Sequence, residues 1–436
     1  MSAVTPAVGG TRTVPVPDRI ARDYLLLALR LDQHIPGLVD GYFGPADLKA
    51  SVDLDRVPAP ARLAADADAL RDDVEREIED EGRRRWLDAQ LVALRTQATA
   101  LAGETLPYVE HVTRCFDRAP RRRDEDVFDD ALAALDELLP GEGSVADRGA
   151  AWDARFRVAP DRLHGVVEWL VATYRSRAAR LFGLPKGEDL RVELVRNQPW
   201  SGYNWYDGGL RSRVQLNLDL PIDVTRLITT VAHETYPGHH LEHVLKEADA
   251  VLSRGRLESS VLLINTPECL ISEGLAELGV DFAVPPDERA DLHVELYERA
   301  GLDVATDKAA AREAAERSAA MWAPRAALGG LSTNAALMRH VDGAGHGEVL
   351  DYLRARSFDP STAEKRLEFI EHSLWRTYVF VYDEGEALLR EWLEADLAAD
   401  TPARFRRLLL EPLTPGAIAR EIAGTAAGAE RGGAAR

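Results

Sequence analysis

The chain has 436 residues, 46% of them hydrophobic, enough to bury a large core in one α-rich unit or in closely packed subregions. Acidic residues outnumber basic ones by 73 to 53, and the net charge of −20 argues against nucleic acid or an anionic membrane as a partner. Two cysteines, Cys115 and Cys269, make neither a disulfide framework nor a cysteine-based zinc site, and one long-range disulfide is the only bond open to them.

Residues 1–17 are rich in Pro, Gly and Thr without period, which predicts a disordered tail. They have neither the basic start nor the apolar stretch of a signal peptide, and no window reaches the roughly 18 apolar residues of a membrane span, so a cytoplasmic location is the expectation. Residues 18–184 read as an N-terminal helical region. Asp18 caps a first helix with Ile20, Tyr24, Leu27 and Leu31 on one face, and the turn Asp40–Pro45 is seated by Tyr42 and Phe43. Helices follow over 62–81, 84–102, 124–138 and 146–183, with breaks at Gly103, Pro107, Pro120 and Pro140. His111 and His164 in this stretch read as surface or hydrogen-bonded core residues.

The texture changes at 185, and 185–423 read as the region that carries the chemistry, packed with the first as one unit. Leu190–Arg196 and Arg213–Leu218 alternate like strands, with Ser201–Gly209 between them as a glycine- and aromatic-rich loop. They predict a small antiparallel sheet beside the helix that follows, which Asp223 or Thr225 caps. An exposed edge of such a sheet can take up a peptide main chain as another strand, or the hairpin can simply pack the helix.

That helix runs into Thr230–His243, which holds four of the eleven histidines. His233-Glu234 matches the first half of a zinc-protease helix, in which a histidine binds metal and the following glutamate activates water. The usual second ligand, four residues on, is replaced by Pro237. His239 and His240 stand next, about 120° and about 20° from His233 on a straight helix, and His240 lies about 10.5 Å along the axis. Pro237 and Gly238 predict a kink or bulge. If it absorbs two residues, His239 takes the position of the second ligand and is preferred over His240; His239 and His243 form a third arrangement at i, i+4.

Thr266-Pro267-Glu268 opens another helix with a cap and an N1 proline, and it carries Glu273 and Glu277 between apolar neighbours. Acids there need a partner if buried, and a metal or a distant arginine would serve. The rest, 286–421, is helical, and 424–436 read as a second loose tail. Near its end Arg376, Tyr378 and Tyr382 are candidate donors to a tetrahedral oxyanion, with Arg376 also able to bind a substrate carboxylate.

The run from Val214 through His233-Glu-Thr-Tyr-Pro-Gly-His-His240, the pair Glu273-Gly274 and the segment Trp375–Tyr378 resemble the bacterial "domain of unknown function 885" family. That family is mainly helical and similar to gluzincin metallopeptidases of the thimet oligopeptidase and carboxypeptidase Taq groups. The resemblance covers about 190–285 well. It implies a large helical metallopeptidase-like fold, with His233 and His239 as metal ligands, His240 as the alternative, Glu273 as third ligand and Glu234 as general base. Leu275 and Val280 depart from it, as does Val381–Gly385, where the family has Pro-Gly-Gln-Ala.

The expectation is a zinc-dependent hydrolase, with one zinc or another divalent ion per chain, acting on short peptides or acylated amino acids, with Glu234, Tyr378 and Arg376 in catalysis. Two other readings use the same chain: a lyase or dehydratase acting on a small metabolite, and a non-catalytic helical binding protein whose histidines are structural.

Overall fold

Capping side chains set where many of the helices begin. Asp18, Asp80, Ser144, Asp223 and Thr266 each turn a side-chain oxygen back onto a backbone N–H three residues on. The computed structural model describes residues 18–198, 200–396 and 400–433; the expected tail 1–17 and the last three residues of the expected tail 424–436 lie outside them. The chain is mainly helical, 69% helix against 7% strand, and no described helix is long and apolar enough to cross a membrane.

Four expectations change, the fourth in the sheet. The stretch 146–183 is two helices, Val145–Ala154 and Pro160–Leu181, because Pro160 cannot donate a backbone bond and instead opens the second helix at its first turn. The last helix, Pro415–Gly433, continues through residues 424–433. The glycine-rich segment between the two expected strands is itself a strand, since Tyr203, Trp205 and Tyr206 outweigh the turn signal of Gly202.

Among the described residues there are five strands: β1 (Val39–Tyr42), β2 (Asp189–Val195), β3 (Gly202–Tyr206), β4 (Arg211–Asn217) and β5 (Val261–Leu263). β4 lies between the other two of its sheet, parallel to β2 and antiparallel to β3, so the sheet is mixed rather than antiparallel. The extra strand is the reason: β3 takes the antiparallel edge of β4 through a tight turn, leaving β2 to pair on the far side. β1 and β5 form a separate antiparallel pair, with Val39 opposite Leu263. The turn-rich segment after the first helix is therefore held by a strand more than two hundred residues later.

One hydrophobic cluster runs from Ile20 to Ile418 and takes in Tyr24, Phe116, Tyr174, Val231, Leu270 and Trp392. Through it pass the two helices that matter most for the site, Pro267–Ala283 and Val381–Glu394. They touch backbone to backbone. A methyl added at Gly274 would stand 2.3 Å from the carbonyl carbon of Gly385, and one at Gly385 would stand 2.6 Å from the carbonyl oxygen of Leu270. No rotamer change relieves a clash with backbone.

Gly274→Ala is accordingly expected to cost about 1–3 kcal/mol. Gly165→Ala, in the Pro160–Leu181 helix with nothing within 4 Å of the new methyl, is expected to gain about 0.5–1 kcal/mol by helix propensity alone. Urea denaturation of both variants at unchanged slope checks the opposite signs.

Candidate metal centre

Asp223 accepts from the N–H of Arg226 at 3.0 Å and starts the first histidine helix, Val224–Glu234, whose Val224, Leu227, Ile228 and Val231 face the core. The helix ends at Glu234 because Pro237, two residues beyond Thr235, has no N–H and disfavours helical Tyr236. A second histidine helix, His239–Lys246, starts at once. The expected bulge is thus a full break, with a cis Tyr236–Pro237 peptide inside it.

Two backbone bonds bridge the break, Gly238 N–H to Ala232 O and Leu241 N–H to Thr235 O, both at 3.1 Å. Each spans six residues where a helix spans four, so two residues are looped out. His239 therefore takes the place that the fourth residue would have on a continuous helix. Gly238 permits this approach: a methyl on it would lie 1.8 Å from the carbonyl oxygen of His233. Gly279 does the same from the Pro267–Ala283 helix, where a methyl would lie 3.3 Å from Pro237 Cγ.

His233, His239 and Glu273 converge, one donor atom from each lying within 4.8 Å of the others. The two imidazoles stand perpendicular with centroids 4.7 Å apart. Glu273 Oε2 is 3.4 Å from His233 Nε2 and 3.7 Å from His239 Nε2. It is buried with no hydrogen-bond partner, whereas Glu273 Oε1 accepts from the Tyr378 hydroxyl at 2.7 Å. The outer ring nitrogens are held too: His233 Nδ1 lies 3.3 Å from Glu277 Oε1, and His239 Nδ1 lies 3.3 Å from Ser272 Oγ. Behind them Glu242 pairs with Lys246 at 2.6 Å, and Lys246 with Glu268 at 2.7 Å.

This arrangement fits a metal such as zinc. Two imidazoles and a carboxylate are a common open ligand set, and ligating histidines have their second nitrogen fixed by a carboxylate or another polar group. The unpartnered Oε2 is the strongest single sign, since a buried carboxylate oxygen is seldom left without a partner. Without a cation, protons balance the charge. Burial pushes His239 down, but the carboxylates of Glu273 and Glu242 outweigh it and lift the ring to about 10. His233 is raised for the same reason by Glu273 and Glu277, and Glu273 stays well below the usual carboxylate range despite its burial.

Glu234 sits beside this group, almost wholly buried. Asn204 on β3 holds its backbone carbonyl at 2.7 Å. Gly202 lets β3 lie close on the helix that carries Glu234: a methyl there would lie 2.7 Å from Thr230 Cγ2. Burial raises its proton affinity, the carboxylates of Glu273 and Asp40 reinforce the shift, and the two imidazoles oppose it. Asp40, on β1, accepts from the Tyr203 hydroxyl of β3, so both sheets border the centre. Asp40, Tyr203 and Asn204 carried no functional reading in the sequence, because only the tertiary approach of β1 to β3 brings them here, whereas Glu277 was read with Glu273 as an acid that a metal could partner.

Three sequence-based assignments are corrected. His240 is not a ligand: fully buried, it turns from His239 toward β4 and bonds Ser212 Oγ at 2.8 Å through Nδ1 and Glu188 Oε2 at 3.0 Å through Nε2. His243 stacks on His239 with rings 7° from parallel, so the two do not converge on one ion. Arg376 faces away, its guanidinium 3.4 Å from His111 Nδ1 in a cavity that none of the cluster residues lines. Tyr378 does reach the centre, but its hydroxyl is spent on Glu273, so it positions that carboxylate. Tyr382, its neighbour at 3.4 Å between hydroxyls, is 41% exposed. His111 lines the other cavity and His164 pairs with Glu168 at 3.3 Å on the surface.

No family model matches this chain, and no curated protein matches it. Among solved structures, the chain described as "the putative lipoprotein from Colwellia psychrerythraea" is similar with a TM-score of 0.49 and 14% identity, over 83% of this chain and 66% of that one. The present chain thus spans about two thirds of that protein's length.

The Glu188 network yields a pH prediction. Burial pushes Glu188 up, but bonds from His240, Tyr236 and Arg175 win and bring it to about 2 from the ordinary 4.5. A depressed carboxylate contributes stability above its unfolded value, lost as pH falls from 4.5 toward 2. Glu188→Gln is expected to flatten the fall in urea midpoint across that window and to change little of its shape above pH 6. An unchanged acid limb would contradict the assignment.

Proposed function

We propose that the chain is a metal-dependent hydrolase, with zinc as the first candidate ion, that cleaves an amide in a short peptide or an acylated amino acid. The observation that carries this reading is Glu273 Oε2, buried, unpartnered and facing the Nε2 atoms of His233 and His239. Oε2 lies 3.4 and 3.7 Å from those two nitrogens, close to the separation of donor atoms that share one ion. His233, His239 and Glu273 would hold the ion. When bound, it supplies Lewis acidity toward a water and a carbonyl.

The chain's own groups do the rest. Glu234, with its raised proton affinity, accepts a proton from the attacking water and can return it to the leaving amine. Tyr378 fixes the Glu273 carboxylate through Oε1, which leaves Oε2 pointing at the imidazoles. Tyr382 can donate to a developing oxyanion. β3 is an edge strand that runs over Glu234, with the rings of Tyr203 and Trp205 tilted against each other at 4.6 Å along it, and an extended peptide added there would pass the acid.

Metal analysis of protein purified without chelator or polyhistidine tag should find about one zinc per chain. His233→Ala, His239→Ala and Glu273→Ala should lose it with the fold intact by circular dichroism, whereas His240→Ala should keep it while unfolding at lower urea. Metal lost equally from His240→Ala would break the ligand assignment.

Glu234→Gln should retain the metal and lose about 10²- to 10⁴-fold in kcat on whichever peptide or acyl amino acid the native protein hydrolyses. Full activity in that variant would exclude Glu234 as the base. A panel of such amides left uncleaved by the zinc-loaded native protein would remove the hydrolase reading itself.

A further inference from the structure

Away from the histidine cluster the structure holds a cavity of about 540 Å³, a size suited to a small molecule. Its wall includes Gln97, Leu101, His111, Asn265, Leu374 and Arg376. Neither His233, His239, Glu273 nor Glu234 borders it. Two of its polar groups are left incomplete. Gln97 is 5% exposed, and its Nε2 donates to the carbonyl of Asn265 at 3.2 Å, but its Oε1 has no partner. Arg376 has no carboxylate within salt-bridge reach among the described residues, and its guanidinium meets only His111 Nδ1 at 3.4 Å.

The neighbouring charges are already matched. Glu371 on the same wall is taken by Arg339 at 2.6 Å and His346 at 2.9 Å. His340 Nε2 bonds the carbonyl of Ile370 at 2.7 Å, and His34 Nε2 that of Pro58 at 2.7 Å. Burial, with Arg376 and Arg114, brings His111 down to about 4, so near neutrality its ring is uncharged and accepts from Arg376. What remains is one cation, one hydrogen-bond acceptor and an apolar wall that includes Leu374, Ile35 and the 40% exposed Leu101.

We propose that this cavity is a second binding site, for a small organic carboxylate that carries an apolar body and one N–H or O–H donor. The guanidinium of Arg376 takes the carboxylate, Gln97 Oε1 takes the donor, and Leu101 and Leu374 cover the apolar part. The site is separate from the histidine cluster and does not rest on the zinc reading.

Indole-3-acetate supplies all three features and serves as the probe in calorimetric titration of the full chain, with inorganic phosphate as a second probe that offers charge alone. The native protein should bind indole-3-acetate at least about tenfold more tightly than phosphate. Arg376→Gln, Arg376→Lys and Gln97→Met, each checked for a native circular dichroism spectrum, should weaken it by about tenfold or more, while Glu273→Gln leaves it unchanged. No binding to the native protein, equal affinity for phosphate, indifference to both the Arg376 and Gln97 changes, or loss in Glu273→Gln would each overturn the proposal.

Discussion

An ionised carboxylate taken out of water costs several kcal/mol unless charge or hydrogen bonds replace its hydration. Glu273 is in that position, on a helix buried on most sides. Tyr378 satisfies one oxygen, and only the two imidazoles face the other. Much of the surrounding architecture follows from this requirement. The break at Tyr236–Gly238 brings His239 beside His233, the Lys246–Glu242 pair backs His239, and two small sheets close the remaining side with Asp40, Tyr203 and Asn204. A charge that is expensive to bury thus fixes where three helices and two strands can lie.

The sequence carried the chemical part of the site better than its geometry. Residue type and spacing pointed to His233 with Glu234 and to His239, the choice of Glu273 over Glu277 came through the family resemblance, and Pro237-Gly238 announced a discontinuity between the histidines. The mainly helical class was readable from apolar periodicity. What lay hidden depends on long-range pairing. Nothing local says that Val39–Tyr42 meets Val261–Leu263, so the approach of Asp40 to the centre could not be seen. Nor does spacing tell which way a side chain leaves a short 3₁₀ turn: at Trp375–Thr377 and its cap, Arg376 faces the cavity while Tyr378 turns to Glu273. His240 misleads for a related reason, since adjacent residues on a helix point about 100° apart and one of them must turn toward β4.

The cavity beside Arg376 and the histidine centre share a short piece of chain. Asn265 precedes the cap of the Glu273 helix, donates to the carbonyl of Leu374 at 3.0 Å and accepts from Thr377 at 3.1 Å. Tyr108 holds the carbonyl of Arg376 at 2.7 Å. Residues 374–378 are therefore pinned at several points before Tyr378 reaches Glu273. A rigid segment of this kind gives the phenol a fixed origin, which a flexible loop would not.

The contact of Gly274 with Gly385 has a consequence for how this protein can change over generations. Where two helices meet through side chains, each core substitution shifts their spacing by a fraction of an ångström, and anything mounted on them shifts too. Here the spacing is set by main-chain atoms that every residue possesses. The leucines and valines around the contact are free to drift in identity while Glu273, next to one glycine, keeps its place. Mutational tolerance is thereby concentrated in the core and withheld from two positions that have no side chain at all.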